Sequence, residues 1–260
     1  MKAIHRILAA GAAVALSAAM VGCSSEDSSS GASSSAGTTV LTVYAAASLT
    51  ASYDEMAAAF EAEHPGVDVQ FNYAGSQTLV DQINQGAPAD VLATANTSTM
   101  SKATDAGTVG AATEFATNVL TIITPAGNPA GVTGLDSSLD AAQLVICAPE
   151  VPCGSATQQL TERLGVTLDP VSEEQQVTDV VGKVTGGDAT AGIVYRTDAK
   201  EAGDKVTEVP IAGADQVVNH YPIATVNESR HAELAQQFVD YVLSDAGRAT
   251  LDEHGFAPAS

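Results

Sequence analysis

Four predicted helix starts in this sequence carry groups that can hydrogen-bond an anion. Ser48 follows a predicted apolar strand and Ser76 a predicted strand of alternating apolar and polar residues. Cys153 and Val180 lie near the starts of two later helices. A fifth residue, Tyr195, ends a short buried strand. A helix N-terminus offers unpaired backbone N–H groups and roughly +0.5 elementary charge from the helix dipole. Four such ends make an anion site the chemistry that this pattern favours.

Each of these residues also has a purely structural interpretation. Ser48 can serve only as a helix N-cap, and Val180 and Tyr195 can be core positions of a helix and a strand. The common location favours a ligand, because all five residues lie at strand or helix ends, where ligands bind in open α/β sheets.

The overall charge narrows the range of partners. The chain has 31 acidic and 10 basic residues and a formal net charge of −21. This argues against nucleic acid and against an anionic membrane surface. No zinc-protease motif, nucleophile elbow or phosphate-binding loop is present. The sequence therefore predicts neither an enzyme nor a bound cofactor.

The first 39 residues are predicted to be targeting sequence and tether. Lys2 and Arg6 precede an apolar run over 7–19, which is too short to span a bilayer comfortably and is typical of a signal peptide. A small residue before Cys23 resembles a bacterial lipoprotein cleavage box, so Cys23 is the predicted lipidation site. Residues 24–39, rich in Ser and Gly, are predicted to be a flexible tether.

Two further cysteines, Cys147 and Cys153, lie in one loop. In an exported protein such a pair is expected to form a disulfide. A metal pair and a redox dithiol are the alternatives, but no His lies near and the spacer of five residues differs from the two of redox motifs.

Periodicity and turn residues predict an α/β chain. The strands are expected at 40–44, 67–73, 91–94, 118–125, 144–147, 191–195, 206–211 and 220–226. The helices are expected at 49–63, 79–86, 97–106, 155–164, 178–184, 229–243 and 245–253. The alternation up to Gly107 predicts a parallel sheet covered on both faces.

Six motifs, in order, resemble those of the molybdate-binding proteins of bacterial ABC importers, over about residues 40–257. They are Ala45-Ala46-Ala47-Ser48-Leu49-Thr50, Gly86-Ala87-Pro88-Ala89-Asp90-Val91, Val151-Pro152-Cys153-Gly154, Asp179-Val180, Gly192-Ile193-Val194-Tyr195 and Tyr221-Pro222-Ile223.

The resemblance implies a two-domain, periplasmic-binding-protein-like fold of type II with the ligand cleft between the domains. Residues 40–118 plus 221–260 would form domain I and 119–220 domain II. The two hinge segments would lie near Asn118-Val119 and Asn219 to Pro222.

The resemblance also implies a ligand set. Ser48 and Ser76 would each give a hydroxyl and a backbone N–H, Cys153 and Val180 a backbone N–H, and Tyr195 its phenolic hydroxyl. The family often has Ala at the position of Cys153, and a disulfide to Cys147 would stiffen this loop. Molybdenum would be held as its oxyanion, with no direct metal ligand from the protein.

The function implied is that of a monomeric extracytoplasmic lipoprotein, anchored to the cell membrane, which captures molybdate and tungstate for the permease of an ABC importer. The alternatives are a binder of another tetrahedral oxyanion such as sulfate, a thiol–disulfide protein using Cys147 and Cys153, and a structural surface lipoprotein without a ligand. Neutral donors should disfavour protonated phosphate, whose O–H needs an acceptor, while sulfate would have to be excluded by cavity size.

Overall fold

Two mixed β-sheets carry the part of the chain that the computed structural model describes, residues 38–259. The predicted signal peptide, Cys23 and most of the predicted tether lie outside these residues. The α/β class predicted from the sequence is confirmed, with one domain built on each sheet.

The first sheet has six strands in the order β11-β4-β10-β3-β1-β2. These are β1 (Thr39–Ala46), β2 (Val67–Ala74), β3 (Val91–Ala93), β4 (Thr113–Asn118), β10 (Asn219–Thr225) and β11 (Ala257–Pro258). Strands β1, β2 and β3 are parallel, as their alternation with helices predicts, whereas β10 runs antiparallel to β3 and β4. The sheet is therefore mixed and takes strands from both ends of the described chain.

The second sheet has five strands in the order β7-β6-β8-β5-β9. These are β5 (Leu120–Pro125), β6 (Leu144–Cys147), β7 (Ser172–Glu174), β8 (Ala191–Tyr195) and β9 (Val206–Val209). Strand β6 is parallel to β7 and β8, and β5 is antiparallel to β8 and β9. All five strands come from one continuous stretch of the sequence.

Helices connect and cover the strands of both sheets. They are α1 (Thr50–Glu63), α2 (Ser76–Asn84), α3 (Thr97–Asp105), α4 (Pro152–Leu164), α5 (Val177–Gly186), α6 (Arg196–Ala202), α7 (Ala232–Leu243) and α8 (Asp245–Glu253). Among residues 38–259, no helix combines the length and the apolar character needed to cross a bilayer.

Alternation along β1 explains how the first sheet is covered on both faces. Leu41 and Val43 point into one core, where they join Tyr53 and Phe60 of α1, while Tyr44 points into a second core on the opposite face. Side chains that alternate along a strand lie on opposite faces, and burying each large apolar one contributes about 1.5–3 kcal/mol. This packing fixes the end of β1, which Ser48 follows.

Several predicted boundaries are wrong. The strand expected at 118–125 begins two residues later, as β5 at Leu120, and Asn118 ends the preceding strand β4. The chain passes from the first sheet to the second at Val119. Helix α4 begins at Pro152 rather than 155, since proline at the first helical position loses no hydrogen bond. Helix α7 begins at Ala232 rather than 229, because the Ser229 hydroxyl bonds Asp90 instead. The strands β4, β7 and β11 and the helix α6 were not predicted.

Candidate ligand-binding site

A small cavity between the two sheets brings together four of the five predicted residues: Ser48, Ser76, Cys153 and Tyr195. Its cavity volume is about 10 Å³, far below the roughly 300–1,000 Å³ of pockets for drug-sized molecules. The lining contains no charged side chain. The cavity therefore suits a ligand of a few atoms held by neutral groups.

Ser48 lies in a 3-10 turn, Ala47–Leu49, that runs directly into α1. Its Oγ is 3.0 Å from the Oη of Tyr221. Tyr221 is fully buried, and burial raises the pKa of its phenol, so the hydroxyl keeps its proton. The Ser48 hydroxyl is thus held at the end of the first sheet by a neutral partner.

Ser76 is the first residue of α2 and is 1% exposed. Its Oγ accepts a hydrogen bond of 3.0 Å from the backbone N–H of Ala95. A serine hydroxyl has one proton to donate. Because Ala95 occupies an acceptor position, that proton can turn towards the cavity.

Cys153 is the second residue of α4 and forms a disulfide with Cys147. A Cβ on Gly154 would lie 1.9 Å from the carbonyl oxygen of Ala148, so only glycine lets this loop fold back on the helix. Both cysteines are almost completely buried, at 1% and 2% exposure. Thiol–disulfide exchange needs access to a sulfur, so this geometry argues against a redox enzyme.

Val180 is not among the residues that line the cavity. It is the fourth residue of α5, and its side chain packs closely against Gly192 of β8. The side chain of Val177, at the start of the same helix, lines the cavity instead. A contribution from the Val180 backbone N–H stays a prediction.

Tyr195 ends β8 and caps the N-terminus of α6. Its Oη accepts a hydrogen bond of 3.0 Å from Nδ2 of Asn219, and its backbone N–H donates to Asp198 at 2.9 Å. Burial raises the pKa of the Tyr195 phenol, which stays protonated. Burial also raises the pKa of Asp198 to about 7.

The two domains also touch beside the cavity. Nε2 of Gln77, in α2, donates to the backbone carbonyl of Gln175, which follows β7, at 2.9 Å. A Cβ on Gly75 would lie 2.2 Å from the same carbonyl oxygen. This Gly75–Gln175 contact requires a residue without a side chain.

Comparison with known proteins identifies the family to which the chain belongs. The family of bacterial extracellular solute-binding proteins matches residues 41–257. The chain belongs to this family. The solute-binding protein is 45% identical over 219 residues to the molybdate-binding protein ModA of Mycobacterium tuberculosis strain H37Rv, which covers 84% of each chain.

Two solved structures share the fold of this solute-binding protein. The periplasmic molybdate-binding protein of Azotobacter vinelandii has a TM-score of 0.73 at 20% identity, covering 85% of this chain and all of that one. The sulfate-binding protein SubI of Mycobacterium tuberculosis H37Rv has a TM-score of 0.68 at 21% identity, covering 85% and 88%. Since both anions occur on this fold, the fold alone does not define the ligand.

Sequence reasoning missed two polar residues beside the cavity of the solute-binding protein. Tyr221 belongs to a motif that carries the family resemblance, but it was expected only within a hinge segment and not beside the ligand. Asn219 was expected only as the start of that hinge segment, because a lone Asn at a strand start usually indicates only a turn. The structure brings both residues within hydrogen-bonding distance of predicted ligand hydroxyls.

A second, larger cavity, of about 270 Å³, lies between the 3-10 turn and the helices α5 and α6. Asp198, Glu201 and His254 contribute to its lining. His254 is 3.0 Å from Glu55 and 3.7 Å from Glu201. Lys205 also lines this cavity, so its ionisable side chains are of both signs, in contrast to the uncharged lining of the small cavity.

Metal coordination by the protein has no visible basis in the described region. Within residues 38–259, no group of three His, Cys, Asp or Glu side chains is arranged to hold a metal ion. The donors around the small cavity are hydroxyl and backbone N–H groups, which suit the oxygen atoms of an anion.

Proposed function

We propose that this solute-binding protein captures molybdate, and tungstate with it, outside the cytoplasmic membrane and delivers it to the permease of an ABC importer. One observation carries the proposal: the hydroxyls of Ser48, Ser76 and Tyr195 border a single cavity that no charged side chain lines. The choice of molybdate among oxyanions is supported by the 45% identity to a protein named for binding it.

The ligand would be held by neutral donors only. Ser48 and Ser76 would donate from domain I, Tyr195 from domain II, and the backbone N–H groups of Cys153 and Val180 would complete the set. Helix N-termini supply positive potential without a fixed cation. Such a site releases its ligand more readily than an ion pair would, which suits delivery to a transporter.

Calorimetric titration of the exported protein with molybdate, tungstate, sulfate and phosphate tests the proposal. Tight one-to-one binding of the first two alone is the expected result. Tight phosphate binding would contradict the donor-only site, and tight sulfate binding would favour the general-oxyanion alternative. Binding of none of the four would overturn the proposal.

The expected domain division belongs to this proposal: residues 40–118 plus 221–260 in domain I and 119–220 in domain II, closing over the ligand as a monomer. Saturating molybdate should make the protein more compact by small-angle X-ray scattering, because ligand donors come from both domains. An unchanged scattering profile would count against closure.

We also propose that Cys23, which lies outside the described residues, is lipidated and anchors the protein to the membrane. Mass spectrometry of the membrane fraction should find a diacylglyceryl-modified Cys23. A Cys23→Ala variant recovered in the same membrane fraction as the wild type would contradict the anchor.

A further inference from the structure

Asn219 links the two sheets through hydrogen bonds to two residues that line the small cavity, Ala95 and Tyr195. It is the first residue of β10 and is 4% exposed. Its Nδ2 donates to the backbone carbonyl of Ala95, which follows β3 in the first sheet, at 2.9 Å. The same nitrogen donates to the hydroxyl of Tyr195, at the end of the second sheet, at 3.0 Å.

The orientation of this amide is fixed by its neighbours. A backbone carbonyl only accepts hydrogen bonds, so the NH₂ end of Asn219 must face Ala95. Its second hydrogen is then left for Tyr195. The Oδ1 atom of Asn219 is buried without a partner in the described part of the chain, and an unpaired buried acceptor costs folding free energy. The amide is therefore held in place by its two donated bonds.

This arrangement determines the direction of the Tyr195 hydroxyl. Because Tyr195 accepts from Asn219, its own proton is turned away from Asn219 and towards the cavity or the neighbouring Tyr221. Ser76 is held in the same way, because its Oγ accepts from the N–H of Ala95. The N–H of Ala95 and the amide of Asn219 thus each occupy an acceptor position of a predicted ligand hydroxyl, that of Ser76 and that of Tyr195. The Ser76 proton is left for the cavity, and the Tyr195 proton for a ligand or for Tyr221.

We propose that Asn219 is a positioning residue for oxyanion selectivity: by occupying an acceptor position of the Tyr195 hydroxyl, it makes that hydroxyl a donor to the ligand. The site then favours fully deprotonated anions over anions that carry an O–H group. This inference rests on the proposed function, since it takes Tyr195 as a ligand contact.

A double-mutant cycle on the exported protein tests the proposal, with molybdate affinity measured by calorimetry. Tyr195→Phe should weaken binding roughly tenfold or more, the value of one hydrogen bond to a charged ligand. Asn219→Ala should weaken binding about five- to tenfold in the wild-type background and less than twofold beside Tyr195→Phe. An equal loss in both backgrounds would overturn the proposal, because Asn219 would then act independently of the Tyr195 hydroxyl.

The ratio of molybdate to phosphate affinity distinguishes a positioning role of Asn219 from a purely structural one, which would leave this ratio unchanged. Without Asn219, the Tyr195 hydroxyl can turn and accept from the O–H of hydrogen phosphate. The ratio of molybdate to phosphate affinity, measured by competition at pH 8, should fall roughly tenfold in Asn219→Ala. A parallel loss of both affinities would overturn the inference. Asn227→Ala is the control, since its amide also donates to a backbone carbonyl, that of Gly107, but on the surface.

Asn219→Thr replaces Asn219→Ala if the latter does not fold. Threonine suits a strand and has one hydroxyl proton, which the Ala95 carbonyl takes, so Tyr195 again loses its donor. The two proposals fail in different ways. No molybdate binding by the wild type would refute the function, whereas binding that depends on Tyr195 but not on Asn219 would refute the positioning role alone.

Discussion

Replacing Gly75 by alanine should prevent the two domains from closing fully. An added Cβ would lie 2.2 Å from the carbonyl oxygen of Gln175, whereas carbon and oxygen atoms in close contact are about 3.3 Å apart. The nearby side chain of Gln77 can move aside, but the Gln175 oxygen belongs to the backbone. The domains must therefore separate by about 1 Å at this point.

The consequence for binding follows from that distance. A hydrogen bond of about 2.9 Å stretched by about 1 Å is effectively broken. If the ligand keeps the donors of one domain and loses two from the other, at about 1.5 kcal/mol each for bonds to a charged group, affinity falls by about 3 kcal/mol, or roughly 100-fold. The ligand-free fold should be unaffected, because the backbone angles of Gly75, φ −58° and ψ 135°, are open to alanine.

Calorimetric titration with molybdate measures the loss of affinity, and thermal unfolding with and without molybdate shows whether the ligand-free fold is unaffected. The matched control is Gly182→Ala, in α5, where an added Cβ meets nothing within 4 Å. Alanine there should keep the affinity and add about 0.5–1 kcal/mol of stability. If Gly75→Ala binds molybdate within threefold of the wild type, the argument from the domain contact is refuted.

Four further variants probe the site and its supports. Cys147→Ser should still bind molybdate but lose about 2 kcal/mol of stability in urea unfolding, because the disulfide closes a short loop; lost binding with unchanged stability would contradict this. Ser76→Ala should lower the molybdate affinity by at least tenfold and the stability by about 1–3 kcal/mol, because it leaves the Ala95 N–H buried and unpaired. Ser48→Ala should lower mainly the affinity. Equal losses of stability in the two variants would contradict this prediction. Burial raises the native pKa of Asp198 to about 7, so ionisation of this carboxyl group destabilises the wild type as the pH rises from about 4 to 7. Over this range the free energy of unfolding of Asp198→Asn should rise relative to that of the wild type by up to about 4 kcal/mol. A pH-independent difference in melting temperature would count against this prediction.

Local patterns predicted most of the elements that position the site. The alternation in β1 and the spacing of Tyr53 and Phe60 on α1 were sufficient to locate Ser48 at the corner between them, because burial on one face imposes a clear period. The strand β7, Ser172–Glu174, was missed since its three polar residues carry no period at all. Its hydrogen bonds to β6 define it, and those depend on residues distant in the sequence.

The residues of the candidate site could be predicted from the sequence for a different reason. Ser48, Ser76 and Tyr195 end elements that the sequence marks clearly, and the motifs around them carry a family resemblance. Asn219 and Gln175 could not be found in this way, because their roles arise from contacts between distant parts of the sequence, with partners 124 and 98 residues away. A single sequence contains no signal for such pairs.

The order in which the chain supplies its strands has a consequence for biogenesis. The second sheet is built from residues 120–209, a continuous stretch, whereas the first sheet needs β10 and β11 from the C-terminal end to pair with β4. A chain that crosses a membrane N-terminus first can thus complete the second sheet while β3 and β4 are not yet joined by β10, the strand that lies between them. Ser48 and Ser76 emerge from the membrane early, but they face Tyr195 in a finished cavity only after β10 and β11 have emerged and paired with β4. Translocation of the C-terminus is therefore the step at which the protein becomes able to bind its ligand.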